Sequence, residues 1–162
     1  MRSDPSLRVA LDGRSRAIMV TRRASDGLQL SPVSVIAGDE GEILTSSSRV
    51  TAKVRNLRRD PRVALCVVDD SFFGPWLAVE GQATVVELPE AWELLKQFHL
   101  RRDGGIPGYD GSPAAGQRLL ATWEWEQKVL VRIKPERVTT APSWEDMLAA
   151  VEAASDREAD RP

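Results

Sequence analysis

The sequence predicts an α+β protein with an antiparallel barrel or sheet at its centre, and three observations lead to this class. About six short β-prone runs are present, with helical segments between and after them. Two turn sequences, Asp26-Gly27 and the run from Gly38 to Gly41, separate the first three β-prone runs. Such tight connections exclude a doubly wound parallel fold, because parallel strands need crossovers of a dozen or more residues.

The first 45 residues are predicted to form a three-stranded meander. Its strands are Ala17–Thr21, Leu28–Ile36 and 42–45. Pro32 lies inside the second strand and cannot donate a ladder hydrogen bond, so we expect an edge position or a bulge there. Regular alternation places four residues on one face of this strand: Gln29, Ser31, Val33 and Val35.

A helix is predicted after the meander. The run Ser46-Ser47-Ser48 opens it, with Ser48 as the N-cap, and the helix continues to about Arg59. Asp60-Pro61 ends it, because the residue before a proline disfavours the helical conformation. The remaining predicted elements are a strand at 62–68, a strand at 76–87 bent at Gly81, a helix from Pro89 to about Arg102, a helix at 113–125 capped by Ser112, a strand at 128–133 ending at Pro135, and a helix from Trp144 to about Ala154.

Composition restricts the classes of function. The 162 residues carry a formal net charge of -2, which disfavours a protein that coats nucleic acid through bulk charge. The single cysteine and single histidine exclude an internal disulfide and a structural zinc site. No apolar run reaches the roughly 20 residues of a membrane span. We therefore expect a soluble cytoplasmic protein, without a metal, whose chemistry comes from a bound cofactor.

Four isolated side chains can be interpreted either as structural or as functional residues. We expect His99 to be partly packed or at the surface rather than catalytic. Cys66 is predicted to be a small buried hydrophobe. Trp123 and Trp125 cannot share a helical face, so one is assigned to the core and the other to a cavity or a second chain.

The most unusual segment is residues 49–62, which contains six cations and one anion in 14 residues. At about 100° per residue on a helix, Val50, Val54 and Leu57 form one narrow stripe. We predict that this stripe contacts the core. The cations then lie on its flanks.

Two interpretations of this cationic helix remain open. One is a solvated basic face. The other is an anion site, in which Lys53 supplies a point charge, Asn56 a neutral donor and Ser46 to Ser48 the hydroxyls at the helix N-terminus. Binding of nucleic acid is disfavoured, because the rest of the chain is acidic and no aromatic residue alternates with the cations.

The run from Thr51 to Val63, TAKVRNLRRDPRV, resembles the signature of the pyridoxamine-phosphate-oxidase-like split β-barrels, which bind FMN in many members. Three further segments are similar to strands of that superfamily: Leu30–Val33, Val79–Ala83 and Val129–Val138. Within the superfamily the chain looks most like the B type of flavin/deazaflavin oxidoreductases, which use coenzyme F420. The resemblance covers residues 15–140, between an N-terminal segment at 1–14 and a C-terminal helix and tail at 141–162.

The resemblance implies an antiparallel split β-barrel with peripheral helices and a homodimer with a cofactor in each inter-subunit cleft. By this resemblance the cofactor phosphate is held by Ser46, Ser47, Thr51, Lys53 and Asn56. The segment Ser31, Pro32 and Val33 would lie against the ring system.

The same resemblance bears on two outer parts of the cofactor site. The anionic glutamyl tail of a deazaflavin would be screened by Arg49, Arg55 or Arg59. Trp76 would stack on a ring from the other subunit or pack in the dimer interface.

The function that the resemblance implies is hydride transfer between reduced F420 and a small organic acceptor. No acid/base pair or nucleophile stands out in the sequence, and the catalytic residues stay unassigned. Alternatives are an FMN-dependent oxidoreductase of the pyridoxamine-phosphate-oxidase type, a cofactor-binding protein without turnover, and, less favoured, a haem-binding barrel that uses His99.

Overall fold

The structure is a computed structural model that describes residue 11 and residues 16–68, 76–141 and 144–159, with side chains in the last helix described for residues 145–152. Its seven strands are β1 (Arg16–Arg22), β2 (Leu28–Ser34), β3 (Ile36–Ala37), β4 (Ile43–Ser48), β5 (Arg62–Val68), β6 (Trp76–Val86) and β7 (Lys128–Thr140). Its helices are α1 (Ala52–Arg59), α2 (Trp92–Asp103), α3 (Pro113–Trp125) and α4 (Trp144–Ala159).

The strands form one antiparallel sheet in the order β2-β1-β5-β6-β7-β4-β3. Because β2 also contacts β4, the sheet is curled into a partial barrel with α1 packed inside it. The predicted α+β class and antiparallel split barrel with peripheral helices are thus confirmed.

The prediction of a three-stranded meander is wrong beyond its first hairpin. β1 pairs with β2, as expected, and Pro32 lies in an edge strand. The turn at 38–41 joins β3 to β4, yet β4 pairs on its other side with β7 rather than with β2. Turn residues specify the local hairpin, whereas the second partner of each strand is set by barrel closure over a long sequence separation.

The predicted start of the first helix is also wrong. Ser46, Ser47 and Ser48 belong to β4, where they pair with Leu130, Val129 and Lys128. The helix begins at Ala52, with Thr51 at the N-cap position. Val50 therefore precedes the helix and is 60% exposed, whereas Val54 and Leu57 are buried in the core as predicted.

The long strands β6 and β7 meet at a bulge. The register shifts between Glu80 and Gly81, which faces Pro135. A Cβ atom at Gly81 would lie 2.2 Å from the carbonyl oxygen of Lys134, so only glycine permits this close approach. The prediction that Pro135 ends the last strand is wrong, because the bulge accommodates the proline and β7 continues to Thr140.

Three smaller expectations need correction. α2 begins at Trp92 instead of Pro89, since residues 88–91 form a turn. α4 extends to Ala159 instead of ending near Ala154. Cys66 is half-buried instead of buried, because strand alternation gives the inward positions to its neighbours Leu65 and Val67.

Two apolar clusters stabilise the fold. One fills the interior of the curled sheet and includes Val54 and Leu57 of α1. The other lies between the sheet and the helices α2 and α3, where Leu95 and Phe98 pack against Trp123. Ser112 caps α3 as predicted, because its Oγ accepts a hydrogen bond from the Ala115 amide at 3.2 Å.

Candidate functional site

The candidate site lies where β4 leads into α1. The Oγ atom of Ser47 is 3.1 Å from Oγ1 of Thr51, and Thr51 Oγ1 donates to the carbonyl oxygen of Ser48 at 2.9 Å. Because Thr51 bonds backward into the loop, its side chain makes no capping hydrogen bond to the helix. The first amide N–H groups of α1 are thus left without a side-chain acceptor.

Lys53 lies in the first turn of this uncapped helix, where an acidic side chain would be favoured and none is present. Its side chain is half-buried, and burial lowers the pKa of its ammonium group from the usual 10.5. Within the described parts of the chain, Lys53 has no carboxylate partner. A partly desolvated cation therefore adds to a helix N-terminus that is already positive, and both features are relieved by a bound anion.

Most neighbouring cations are already paired. Arg58 makes an ion pair with Glu87, and Arg59 donates to the carbonyl oxygen of Arg22. Arg49 Nε donates to Oε1 of Gln127 at 3.2 Å. These contacts favour structural roles for Arg49 and Arg59.

Arg55 differs from the paired arginines. It is exposed, and within the described residues it makes no ion pair. Among the α1 cations, Lys53 and Arg55 are thus the two that remain available to a ligand.

Asn56 occupies a different environment from Lys53. Its side chain is buried, and its Nδ2 donates to Oγ1 of Thr21 at 3.1 Å. This bond joins α1 to β1 inside the curled sheet. The structure therefore gives Asn56 a packing role, and its contact with a phosphate stays a prediction.

The other predicted site residues lie on two strands. Ser46 pairs with Leu130, and because strand side chains alternate, Ser46 faces away from the side that carries Ser47. Ser31 and Val33 are half-buried on β2, whereas Pro32 is exposed. Since β2 contacts both α1 and β4, the predicted ring-binding segment and the Ser47–Lys53 segment belong to one region of the molecule.

Trp76 opens β6, where it pairs with Val68, and its side chain is exposed. The segment before it, residues 69–75, lies outside the described residues. Its stacking or interface role stays a prediction.

One polar group near the site was missed by sequence reasoning. Thr45 lies on the same face of β4 as Ser47, and its Oγ1 is buried without a hydrogen-bond partner in the described structure. Alternation within the run Thr45-Ser46-Ser47 is the signal that could have found it, had this run been assigned to a strand.

His99 is partly packed, as expected. Its Nδ1 is 3.2 Å from Oδ2 of Asp103, and its ring stacks on Trp123 at 5.6 Å. Nε2 is buried and has no hydrogen-bond partner among the described residues. Burial lowers the pKa of His99 from 6.5, which favours the neutral imidazole.

The described residues also limit other kinds of site. They contain no group of three or more His, Cys, Asp or Glu side chains that could hold a metal ion. None of the described helices is both long and apolar enough to cross a membrane.

Comparisons with known proteins agree with the fold. The family model described as pyridoxamine 5'-phosphate oxidase matches residues 3–141. No curated protein matches the chain at a significant level.

Solved structures show the same fold at low sequence identity. A conserved hypothetical protein from Mycobacterium tuberculosis has a TM-score of 0.66 and 23% identity, covering 86% of this chain and 84% of that one. An F420 reductase has a TM-score of 0.58 and 20% identity, with 81% and 94% covered. A heme storage protein from Vibrio cholerae has a TM-score of 0.60 and 19% identity, with 86% and 94% covered.

Proposed function

This chain belongs to the pyridoxamine 5'-phosphate oxidase family, and on that premise we propose that it is a coenzyme F420-dependent oxidoreductase acting on a small organic acceptor. The observation that carries the proposal is Lys53, a half-buried ammonium group without a carboxylate partner in the described chain, at a helix N-terminus without a side-chain cap. The phosphate of a nucleotide-like cofactor would pair with the Lys53 ammonium group and accept hydrogen bonds from the uncapped amides.

The residues at this position fit a phosphate. Lys53 supplies the charge and the first amides of α1 supply donors. The Ser47 hydroxyl lies beside them and would exchange its 3.1 Å bond to Thr51 Oγ1 for a phosphate oxygen, whereas the Thr51 proton is held by the Ser48 carbonyl. The bound cofactor supplies two-electron hydride chemistry. The chain binds and orients it, with β2 as the strand against which the ring would lie.

The choice of a deazaflavin over FMN gives a role to Arg55. FMN ends at its phosphate, whereas F420 carries an anionic glutamyl tail beyond it. Arg55 is exposed, makes no ion pair within the described residues and lies about 200° around α1 from Lys53, so it would serve a tail that extends past the helix N-terminus rather than the phosphate itself. The F420 reductase among the similar structures agrees with this choice.

A homodimer is part of the proposal, and the outer face of the sheet supports it. The register aligns Pro32, Ile18, Cys66 and Ala78 in one row across four strands. All four are half-buried or exposed. An apolar row on the outward face of an antiparallel sheet is expected to be covered, and a second copy of the chain would cover it.

An FMN-dependent oxidase of the family type is the second candidate, since the same phosphate site serves it. Haem binding has less support. His99 is the sole histidine of the sequence, its Nδ1 faces Asp103, and its Nε2 is buried. Neither ring nitrogen is therefore presented to an added ligand in the described structure.

The test is a comparison of F420, FMN and pyridoxal phosphate by thermal shift and titration calorimetry. A ligand at 100 times its dissociation constant stabilises the native state by about 2.7 kcal/mol. We expect F420 to give the largest shift and the tightest binding. Reduced F420 is then mixed with a panel of small electron acceptors, and recovery of the oxidised cofactor's absorbance reports turnover.

Two outcomes would change this assignment. Binding of FMN with higher affinity than F420 would favour the oxidase. Tight binding of F420 without oxidation of the reduced cofactor by any acceptor would favour a binding protein without turnover.

A further inference from the structure

A row of four aromatic rings joins α2 and α3 to the loop between them, residues 104–112. His99 of α2 stacks on Trp123 of α3, with ring centroids 5.6 Å apart. Trp123 in turn packs against Trp92 at 5.1 Å, and Trp92 meets Tyr109 edge-on at 6.4 Å. Because Tyr109 belongs to the loop, this row connects a titratable imidazole in the helix layer to the position of the loop.

The loop at 104–112 makes few contacts of its own with the helices. Ile106 packs against the apolar cluster beneath α2 and α3, and Tyr109 packs against Trp92. The rest of the loop is open, because an added Cβ atom would meet no non-neighbouring atom within 4 Å at any of four glycines: Gly104, Gly105, Gly108 and Gly111. The position of the loop therefore depends strongly on the Tyr109 ring.

The proton that charges His99 would enter a buried position. Nδ1 of His99 is 3.2 Å from Oδ2 of Asp103. An ionised carboxylate only accepts hydrogen bonds, so Nδ1 carries the proton of the neutral ring. Protonation therefore takes place at Nε2, which is buried and has no hydrogen-bond partner among the described residues. A charged ring in this position is disfavoured, because its second N–H group loses its hydration without gaining an acceptor.

The charged groups that face His99 come from α2 and β7. On α2, Asp103 favours the imidazolium form, whereas Arg102 opposes it. From β7, Lys128 also opposes it, although its Nζ is paired with Oε2 of Glu126 at 2.9 Å. The side chain that α3 stacks on the ring is an uncharged tryptophan. Burial is the largest of these effects and lowers the pKa of His99 from 6.5.

We propose that His99 is a pH-sensitive switch for the loop at 104–112: protonation at Nε2 displaces its ring from Trp123 and releases Tyr109. This inference goes beyond the proposed function and does not depend on the identity of the cofactor. In the open state the imidazole is in water and regains its ordinary pKa of about 6.5. Between that value and the lower pKa of the closed state, opening takes up one proton, so its equilibrium constant rises up to about tenfold for each unit that the pH falls.

The switch would act on a cavity beside α2. Tyr109 lines an open cavity of about 550 Å³, together with residues of α2 that include Leu94, Lys96 and Leu100. Nζ of Lys96 lies 5.9 Å from the centroid of the Tyr109 ring. Release of Tyr109 at low pH would therefore remove one wall of this cavity and widen access to it.

The test uses NMR of the full chain without a tag. The sequence has one histidine and one tyrosine, so the ring signals of His99 and Tyr109 are each unique. In a titration from about pH 8 to 5, we expect the His99 midpoint to lie below 6.5 and the Tyr109 ring signals to shift with the same midpoint.

Hydrogen exchange tests whether the opening is local. The Tyr109 amide bonds to the carbonyl oxygen of Ile106 at 3.0 Å. Its exchange rate, corrected for the intrinsic effect of pH, should rise up to about tenfold for each unit that the pH falls through the same range. The Asp60 amide, which bonds to the carbonyl oxygen of Asn56 at 2.8 Å at the end of α1, is the control and should not follow.

Three variants connect the response to His99. His99→Phe keeps an uncharged ring in the row and should abolish the pH response of Tyr109, and His99→Gln should do the same without the ring. Asp103→Asn removes the group that favours the imidazolium form and should move the shared midpoint to lower pH. Lys128→Met removes a group that opposes it and should move the midpoint to higher pH.

Several results would overturn the switch. One is a Tyr109 ring and amide that stay unchanged while His99 titrates. Another is a pH response of Tyr109 that persists in both His99→Phe and His99→Gln. An equal rise in exchange at the Asp60 amide would show that acid unfolds the whole chain instead of opening the loop.

Discussion

Replacing Lys53 by methionine tests whether its charge serves cofactor binding or the stability of the fold. Methionine keeps much of the length and apolar stem of lysine but removes the charge. If Lys53 holds a cofactor phosphate, Lys53→Met removes one charged hydrogen bond, which contributes about 1.5–3 kcal/mol. At 1.4 kcal/mol per tenfold change, the dissociation constant for F420 should rise by about ten- to a hundredfold.

The same substitution should not destabilise the free protein. Burial lowers the pKa of Lys53, which means that folding disfavours its charged form at neutral pH. The group also lies at the positive end of α1 with no acid in the first turn. We therefore expect the free energy of unfolding of Lys53→Met, measured by urea denaturation without ligand, to equal or exceed that of the wild type.

The pH dependence gives an independent check. Phosphate binding needs the ammonium form, so the affinity for F420 should fall as pH rises through the lowered pKa of Lys53, which lies below 10.5. The free protein should show the opposite trend: the stability lost to the buried charge returns as pH rises through that pKa. In Lys53→Met both steps disappear.

Arg58→Met is the matched control on the same helix. Arg58 already pairs with Glu87, and both side chains are partly exposed, so its loss should change little. We expect its affinity for F420 to stay within twofold of the wild type. A Lys53→Met protein that binds F420 as well as the Arg58→Met protein would refute the phosphate assignment, and a loss of stability above about 2 kcal/mol would show that Lys53 is structural instead.

Two further predictions concern buried polar groups. Asn56→Ala leaves Oγ1 of Thr21 without its donor and should lower the free energy of unfolding by about 1–3 kcal/mol, with a smaller effect on F420 affinity than Lys53→Met. His99 is held neutral by burial, which lowers its pKa below 6.5. The free energy of unfolding of the wild type should therefore fall as pH decreases below about 6.5 and down through the folded pKa, and His99→Gln should flatten this dependence. Urea denaturation measures the effect of both substitutions.

Each of these has a control. Thr21→Val combined with Asn56→Ala removes both partners and should recover part of the lost stability. If the double variant is as unstable as the sum of the singles, the hydrogen bond is not the cause. For His99, identical pH profiles of the wild type and His99→Gln between pH 5 and 8, the range in which an imidazole titrates, would show that its protonation is not coupled to folding.

Local sequence signals predicted much of the fold. Asp26-Gly27 marked the first hairpin, Asp60-Pro61 ended α1, and Ser112 capped α3. Each signal acts through backbone chemistry within a few residues, which is why it is readable from sequence. The fold class followed because tight turns admit only antiparallel neighbours.

Long-range contacts were not readable in the same way. The run Ser46 to Ser48 has a composition typical of a helix N-cap, yet it forms a strand because β7, about 80 residues later, supplies hydrogen bonds to it. The pairing of Asn56 with Thr21 likewise joins residues 35 positions apart. In both cases the partner that determines the local structure lies far away in the sequence, so local sequence signals do not reveal it.

This difference alters the physical account of the site. A serine N-cap would satisfy the first amides of α1 within the protein itself, and an anion would then gain little from binding there. Because the serines are held in β4 and Thr51 bonds backward to Ser48, those amides lack a side-chain acceptor beside the charge of Lys53. The strand assignment that sequence reasoning missed is therefore the feature that leaves the helix N-terminus available to a phosphate.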